Sequence, residues 1–165
     1  MKTVLLLRHG KSDWASDTGN DRDRPLAKRG RRAARVMGEL LARTGLVPEA
    51  ALTSPAVRAR TTLELAMKAG GWDCPVHVSE ALYGDGPAGV IEEIGRQSDQ
   101  AATLLLVGHE PTWSETLGLL VGGGRHRFPT GALVGIDVDV EAWADVRPGS
   151  GQLAFLLPPR LLGDE

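Results

Sequence analysis

The chain has 165 residues, 42% of them apolar and 24% charged, which suits one globular domain with a sizeable core. A formal net charge of −2 excludes the global basic field that non-specific nucleic-acid binding needs, and no apolar run approaches a membrane span. Cys74 is the lone cysteine, so no internal disulfide can form, and Arg8 and His9 cut the first apolar segment short of signal-peptide length. The expectation is a reduced, cytoplasmic protein, with Cys74 a small apolar filler.

In chain order, "TVLLL" (3–7) reads as a strand buried on both faces. A polar stretch (13–25) predicts a long surface loop. Residues 26–44 carry Ala33, Met37, Leu40 and Leu41 at helical spacing, with Gly45 as the stop. "AALT" (50–53) is a second strand. The helix over 54–70 has Ser54 as its expected N-cap and Pro55 at its first position. A third strand (75–78), a helix (88–97), a fourth buried strand (103–107) and a helix opening at Pro111 follow. Two alternating strands (132–140 and 151–157) look like a hairpin or edge pair. Strand–helix alternation predicts an α/β fold over one domain, 1–165. Its architecture is a three-layer α/β/α sandwich with a mostly parallel central sheet and a C-terminal antiparallel strand pair.

Ligands of such sheets bind beyond the carboxyl ends of the strands. Arg8 and His9 end the first strand, Thr53 and Ser54 the second, and Gly108 and His109 the fourth, while Arg58 lies in the next helix's first turn. If these strands are neighbours, two imidazoles and two guanidiniums converge on one rim, an anion site suited to phosphate. The histidines at 9, 77, 109 and 126 lack a metal-ligand spacing, and no P-loop or nucleophile elbow is present. A nucleophilic histidine, with no metal and no cofactor, is the economical mechanism. The guanidiniums would keep its imidazole neutral and stabilise the oxygens of a transferring phosphoryl group.

"LLLRHGKSDW", "RPLAKRG", "LTSPAVRARTT" and "LLLVGHEPT", with "FPTGAL" further on, resemble the motif set of the histidine phosphatase (phosphoglycerate mutase-like) superfamily. The short chain and "RHGKSDW" are most similar to its SixA-type phosphohistidine phosphatases. The resemblance implies that His9 becomes phosphorylated while Arg8, Arg58 and His109 form the phosphate pocket. Where mutase-like relatives carry Glu and then Asn after the tripeptide, this chain has Lys11 and Ala15, which argues against mutase activity. Ser12 is the candidate substitute phosphate ligand.

An ester leaving group needs a general acid. Glu80, in a stretch resembling that of the mutase-like glutamate, is the first candidate and Asp85 the second; for each, a solvated carboxylate is the competing reading. Phosphohistidine relaxes the requirement, because its leaving imidazole has an ordinary pKa of about 6.5. The expected activity is therefore dephosphorylation of protein phosphohistidine. The alternatives are a phosphomonoesterase acting on small phosphorylated metabolites, or a non-catalytic module that binds phosphorylated ligands. Neither nucleic acid nor a membrane is an expected partner, and no heptad or apolar stripe indicates an oligomeric state. "GDGPAG" (84–89) matches a dinucleotide fingerprint in a poor context and is read as chance. Arg125, His126 and Arg127 read as plain surface, Trp72 and Trp143 as packing residues, and Trp14 as either a loop anchor or a substrate contact.

Overall fold

The computed structural model describes residues 1–163. One sheet contains β1 (Lys2–Arg8), β2 (Ala50–Thr53), β3 (Val76–Val78), β4 (Thr103–Gly108), β5 (Leu133–Val138) and β6 (Gly151–Leu157), in the order β3-β2-β4-β1-β5-β6. The first four strands of that order are parallel; β5 runs antiparallel to β1, and β6 to β5. Val4 to Leu7 of β1 are fully buried, which is why the strand reads as an unbroken apolar run. Alternate residues serve opposite faces. Leu5 and Leu7 pack with α1 (Lys28–Thr44) and α2 (Val57–Gly70), through Met37, Leu41, Ala59 and Leu63. Val4 and Leu6 pack with α3 (Ala81–Gly84), α4 (Gly86–Gly95) and α5 (Thr112–Leu120), through Leu82, Ile94, Trp113 and Leu117. The three-layer sandwich is the architecture the alternation predicts.

The register levels the strand ends that matter. Arg8 lies opposite Gly108, and both Leu7 and Thr53 lie opposite Val107. The carboxyl ends of β1, β4 and β2 therefore form one rim. Two glycines let α1 close on it: a Cβ on Gly10 would collide with the Gly30 backbone, and one on Gly30 with the Lys11 backbone. The third residue of Arg-His-Gly is thus set by a helix passing directly behind it.

Two local expectations change, and the expected C-terminal antiparallel pair is refined. Ser54 is not the cap of α2, which starts at Val57 with Ala56 as N-cap. The Ser54 amide still donates to the β2–β4 ladder at the Val107 carbonyl, and its hydroxyl faces His109 instead. The helix expected over 88–97 is preceded by the single turn α3 and begins at Gly86, whose φ of 70° makes the break. "GDGPAG" forms this α3–α4 junction, with no strand running into it as a dinucleotide site requires. Finally, β5 and β6 are not equivalent: β5 is an interior strand and β6 the half-exposed edge, joined by a long connection with a 3-10 turn at Trp143–Asp145. Trp72 and Trp143 are packing residues, their indole N–H groups donating to the carbonyls of Gly38 and Ala101.

Candidate active site

His9 is 7% exposed, and its ring orientation is fixed by the backbone. Nδ1 lies 2.7 Å from the Gly10 carbonyl oxygen. A carbonyl only accepts, so Nδ1 carries the proton and Nε2 keeps its lone pair. That lone pair accepts a long hydrogen bond, 3.4 Å, from Arg58 Nε. Burial holds the His9 pKa down at about 3, with His109, Arg58 and Arg8 adding to the effect against the pull of the Gly10 carbonyl. Burial is thus the larger cause of neutrality, ahead of the guanidiniums expected from the sequence.

Arg8 is anchored by an Nη1 bond to the Phe128 carbonyl, 2.8 Å, while its buried Nε has no partner among the described residues. The same "FPTGAL" segment closes on the strand end through Gly131, whose N–H donates to the carbonyls of both Arg8 and His9. The buried Arg58 is held from the opposite side. Its Nη1 donates to the Asp21 carbonyl (2.6 Å) and its Nη2 to the Asp21 carboxylate (3.0 Å), leaving Nε turned to His9. Asp21 also accepts from the Tyr83 hydroxyl (2.6 Å) and from Arg24 (2.7 Å). Tyr83 first, then Arg58 and Arg24, holds its carboxyl well below the usual range.

The buried His109 meets the Ser54 hydroxyl at 2.7 Å through Nε2, and its Nδ1 has no partner among the described residues. The Ser54 oxygen also accepts from the Ala56 amide, and in the tautomer in which its hydroxyl donates to His109 Nε2 the ring proton lies on Nδ1. Burial, then Arg58, lowers the His109 pKa to about 4, so this ring is also neutral near pH 7. The His9 and His109 rings lie 5.1 Å apart. Thr62 ties the assembly together, accepting from the Gly10 amide and donating to the Arg58 carbonyl.

These groups surround a cavity of about 250 Å³ lined by Arg8, His9, Lys11, Ser12, Trp14, Arg24, Arg58, His109, Glu110 and Thr130. The structure brings together Arg8, His9, Arg58, His109 and Ser12, whose hydroxyl accepts from Arg24 Nε at 3.0 Å. Trp14 is 73% exposed at the mouth, with the Arg24 guanidinium 3.6 Å from its ring centre. Glu80 stands apart from the lining: its side chain is 70% exposed and forms a two-pronged pair with Arg22 at 3.0 and 2.8 Å. That pairing keeps its carboxyl below the ordinary range. Asp85 is exposed at the N-cap of α4, also outside the lining. The carboxylate that does border the cavity is Glu110, where it accepts the Ser114 amide at 2.6 Å. Among the described residues, no group of three or more His, Cys, Asp or Glu is placed to hold a metal ion, and no helix is long and apolar enough to cross a membrane.

Sequence reasoning missed Asp21, Tyr83 and Glu110 as parts of the site, and placed Ser54 at the rim without its contact to His109. Only Glu110, directly after His109, carried a usable signal.

The profile of the histidine phosphatase superfamily (branch 1) matches residues 4–84. An uncharacterized protein of Mycobacterium tuberculosis is 40% identical over 164 residues, covering 93% of this chain and all of that one. Among solved structures, a protein of Nakamurella multipartitia assigned as the phosphohistidine phosphatase SixA superposes with a TM-score of 0.83 at 28% identity, over 96% of both chains. One from Agrobacterium tumefaciens with the same assignment gives 0.79 at 27% identity, over 96% of this chain and 98% of that one.

Proposed function

Because this chain belongs to the histidine phosphatase superfamily and is a phosphatase, we propose that His9 is its nucleophile and protein phosphohistidine its substrate. The observation that carries this reading is the Nδ1 contact to Gly10, which leaves the Nε2 lone pair facing a cationic pocket.

In the first step the Nε2 lone pair forms a bond to phosphorus while the bond from phosphorus to the substrate's imidazole nitrogen breaks, and the departing imidazole takes up a proton from water. In the second, water attacks phospho-His9, releasing inorganic phosphate and restoring the neutral ring. Arg8 Nε, Arg58 Nε and His109 Nδ1–H are the donors available to the phosphoryl oxygens. Ser12 contributes at the loop side while shared with Arg24.

The carboxylates favour a P–N bond. The carboxylate of Glu110 is engaged by the Ser114 amide, and Glu80 and Asp85 lie outside the pocket. An ester, whose alkoxide needs a proton, would draw it from Glu80 only after the Arg22 pair opened. A phosphomonoesterase acting on small metabolites is the second reading, since the donors lining the pocket would serve a phosphoryl group on any carrier.

The test compares turnover of a phosphohistidine-bearing protein with a panel of phosphate monoesters, using His9→Ala as control. The expected result is His9-dependent turnover that is fastest on phosphohistidine. Glu80→Gln should leave that rate within about twofold and slow ester hydrolysis by about 10²-fold or more, the worth of a general acid. Faster turnover of esters would favour the metabolite reading, and binding without turnover would favour a non-catalytic module.

A further inference from the structure

A second concavity, of about 790 Å³ and open to solvent, adjoins the His9 pocket. Arg125, His126 and Arg127 of the loop before β5 line it, with Arg160 of the C-terminal 3-10 turn. Arg8 and Glu110 line both cavities, which places the two side by side. Four guanidiniums therefore face one carboxylate, in a chain whose net charge is −2.

Single unpaired arginines on a convex surface are ordinary. This group differs in two respects. Its members converge on a hollow, where low-dielectric walls focus the field. And among the described residues, the Arg125, Arg127 and Arg160 guanidiniums make no hydrogen bond or ion pair, whereas Arg22, Arg24 and Arg58 around the catalytic pocket are all paired. Like charges gathered without partners repel one another, and an anion entering the hollow relieves that repulsion. Planar guanidinium forks match carboxylate and phosphate oxygens two at a time.

We propose that this cleft is a second anion subsite, holding a carboxylate or phosphate that the substrate carries in addition to the phosphoryl group over His9. The proposal rests on the phosphatase reading and deepens it, since the cleft discriminates between substrates that present the same reacting group. A second acidic group on a small molecule and acidic side chains flanking a phosphohistidine supply the same chemistry.

Two matched pairs of substrates separate these sources: phenyl phosphate against carboxyphenyl phosphate, and phosphohistidine peptides flanked by serine against the same peptides flanked by glutamate. The parent should favour the acidic member of at least one pair by about tenfold in kcat/KM, mainly through KM, with the preference fading at high salt. The pair that shows it identifies the source. A protein carrying Arg125→Ser, Arg127→Ser and Arg160→Ser together should lose the preference while keeping the parent's rate on the plain member. The single variants Arg125→Ser and Arg160→Ser should each lose part of it, which guards against a folding defect in the triple variant. No preference in either pair, or an equal loss on both members, overturns the subsite. Failure of the phosphatase reading would show separately, as plain phenyl phosphate and serine-flanked peptide both escaping His9-dependent turnover.

Discussion

Asp21 carries more of the site's geometry than its place in a polar loop suggests. Its carbonyl and carboxylate hold both terminal nitrogens of Arg58, which aims the remaining Nε at His9. Asp21 is thus a positioning residue, acting through Arg58 and itself steadied by Tyr83 and Arg24. Asp21→Ala should lower kcat/KM by about 10- to 100-fold, through both a higher KM and a lower kcat, because a clamp displaced by about 1 Å costs this much. Asp21→Glu should restore part of the loss. An unchanged rate in Asp21→Ala, or no rescue by glutamate, contradicts the positioning role. Ser54 acts in the same manner on His109, holding the ring's orientation through its contact with Nε2.

At the scale of elements, the close approach of α1 to α2 fixes how Arg58 is presented. A Cβ on Gly38 would collide with the Ala66 backbone, and Trp72 caps the contact by donating to the Gly38 carbonyl. Gly38→Ala should destabilise the fold by roughly 1–3 kcal/mol, the usual cost of overpacking, measured as a shift in the urea midpoint at constant slope. No shift would mean that the helices slide apart freely. The elements themselves were largely legible in the sequence. β1 and β4 are buried on both faces, so their apolar runs and the polar residues ending them stand out. Arg8, His9, Arg58 and His109 could be placed on one rim because each sits at a strand end or in the following helical turn. Asp21 and Tyr83 could not, since they meet across 62 residues of chain through a loop without periodicity. Ser54 misled for a physical reason: its hydroxyl had two possible uses, and the tertiary partner won over the helix cap.

At the scale of the whole molecule, the site makes stability depend on pH. The unfolded chain takes up protons on His9 and His109 as pH falls below about 6.5, whereas the folded chain resists until about 3 and about 4. The contribution is complete above the unfolded value and is lost as pH falls toward the folded ones. Asp21, with its lowered pKa, acts in the same direction at still lower pH. Unfolding free energy should therefore drop by on the order of a few kcal/mol between about pH 7 and about pH 4. Replacing both histidines by asparagine should flatten that slope; an equally steep slope in the double variant would place the dependence elsewhere.

Rapid quenching of a single turnover with a phosphorus-labelled substrate tests the proposed chemistry most directly. A transient, acid-labile, alkali-stable phosphoryl adduct should appear on His9, form and decay at rates matching turnover, and be missing in His9→Ala. Turnover at full rate with no such adduct, or with label on another side chain, would contradict that chemistry.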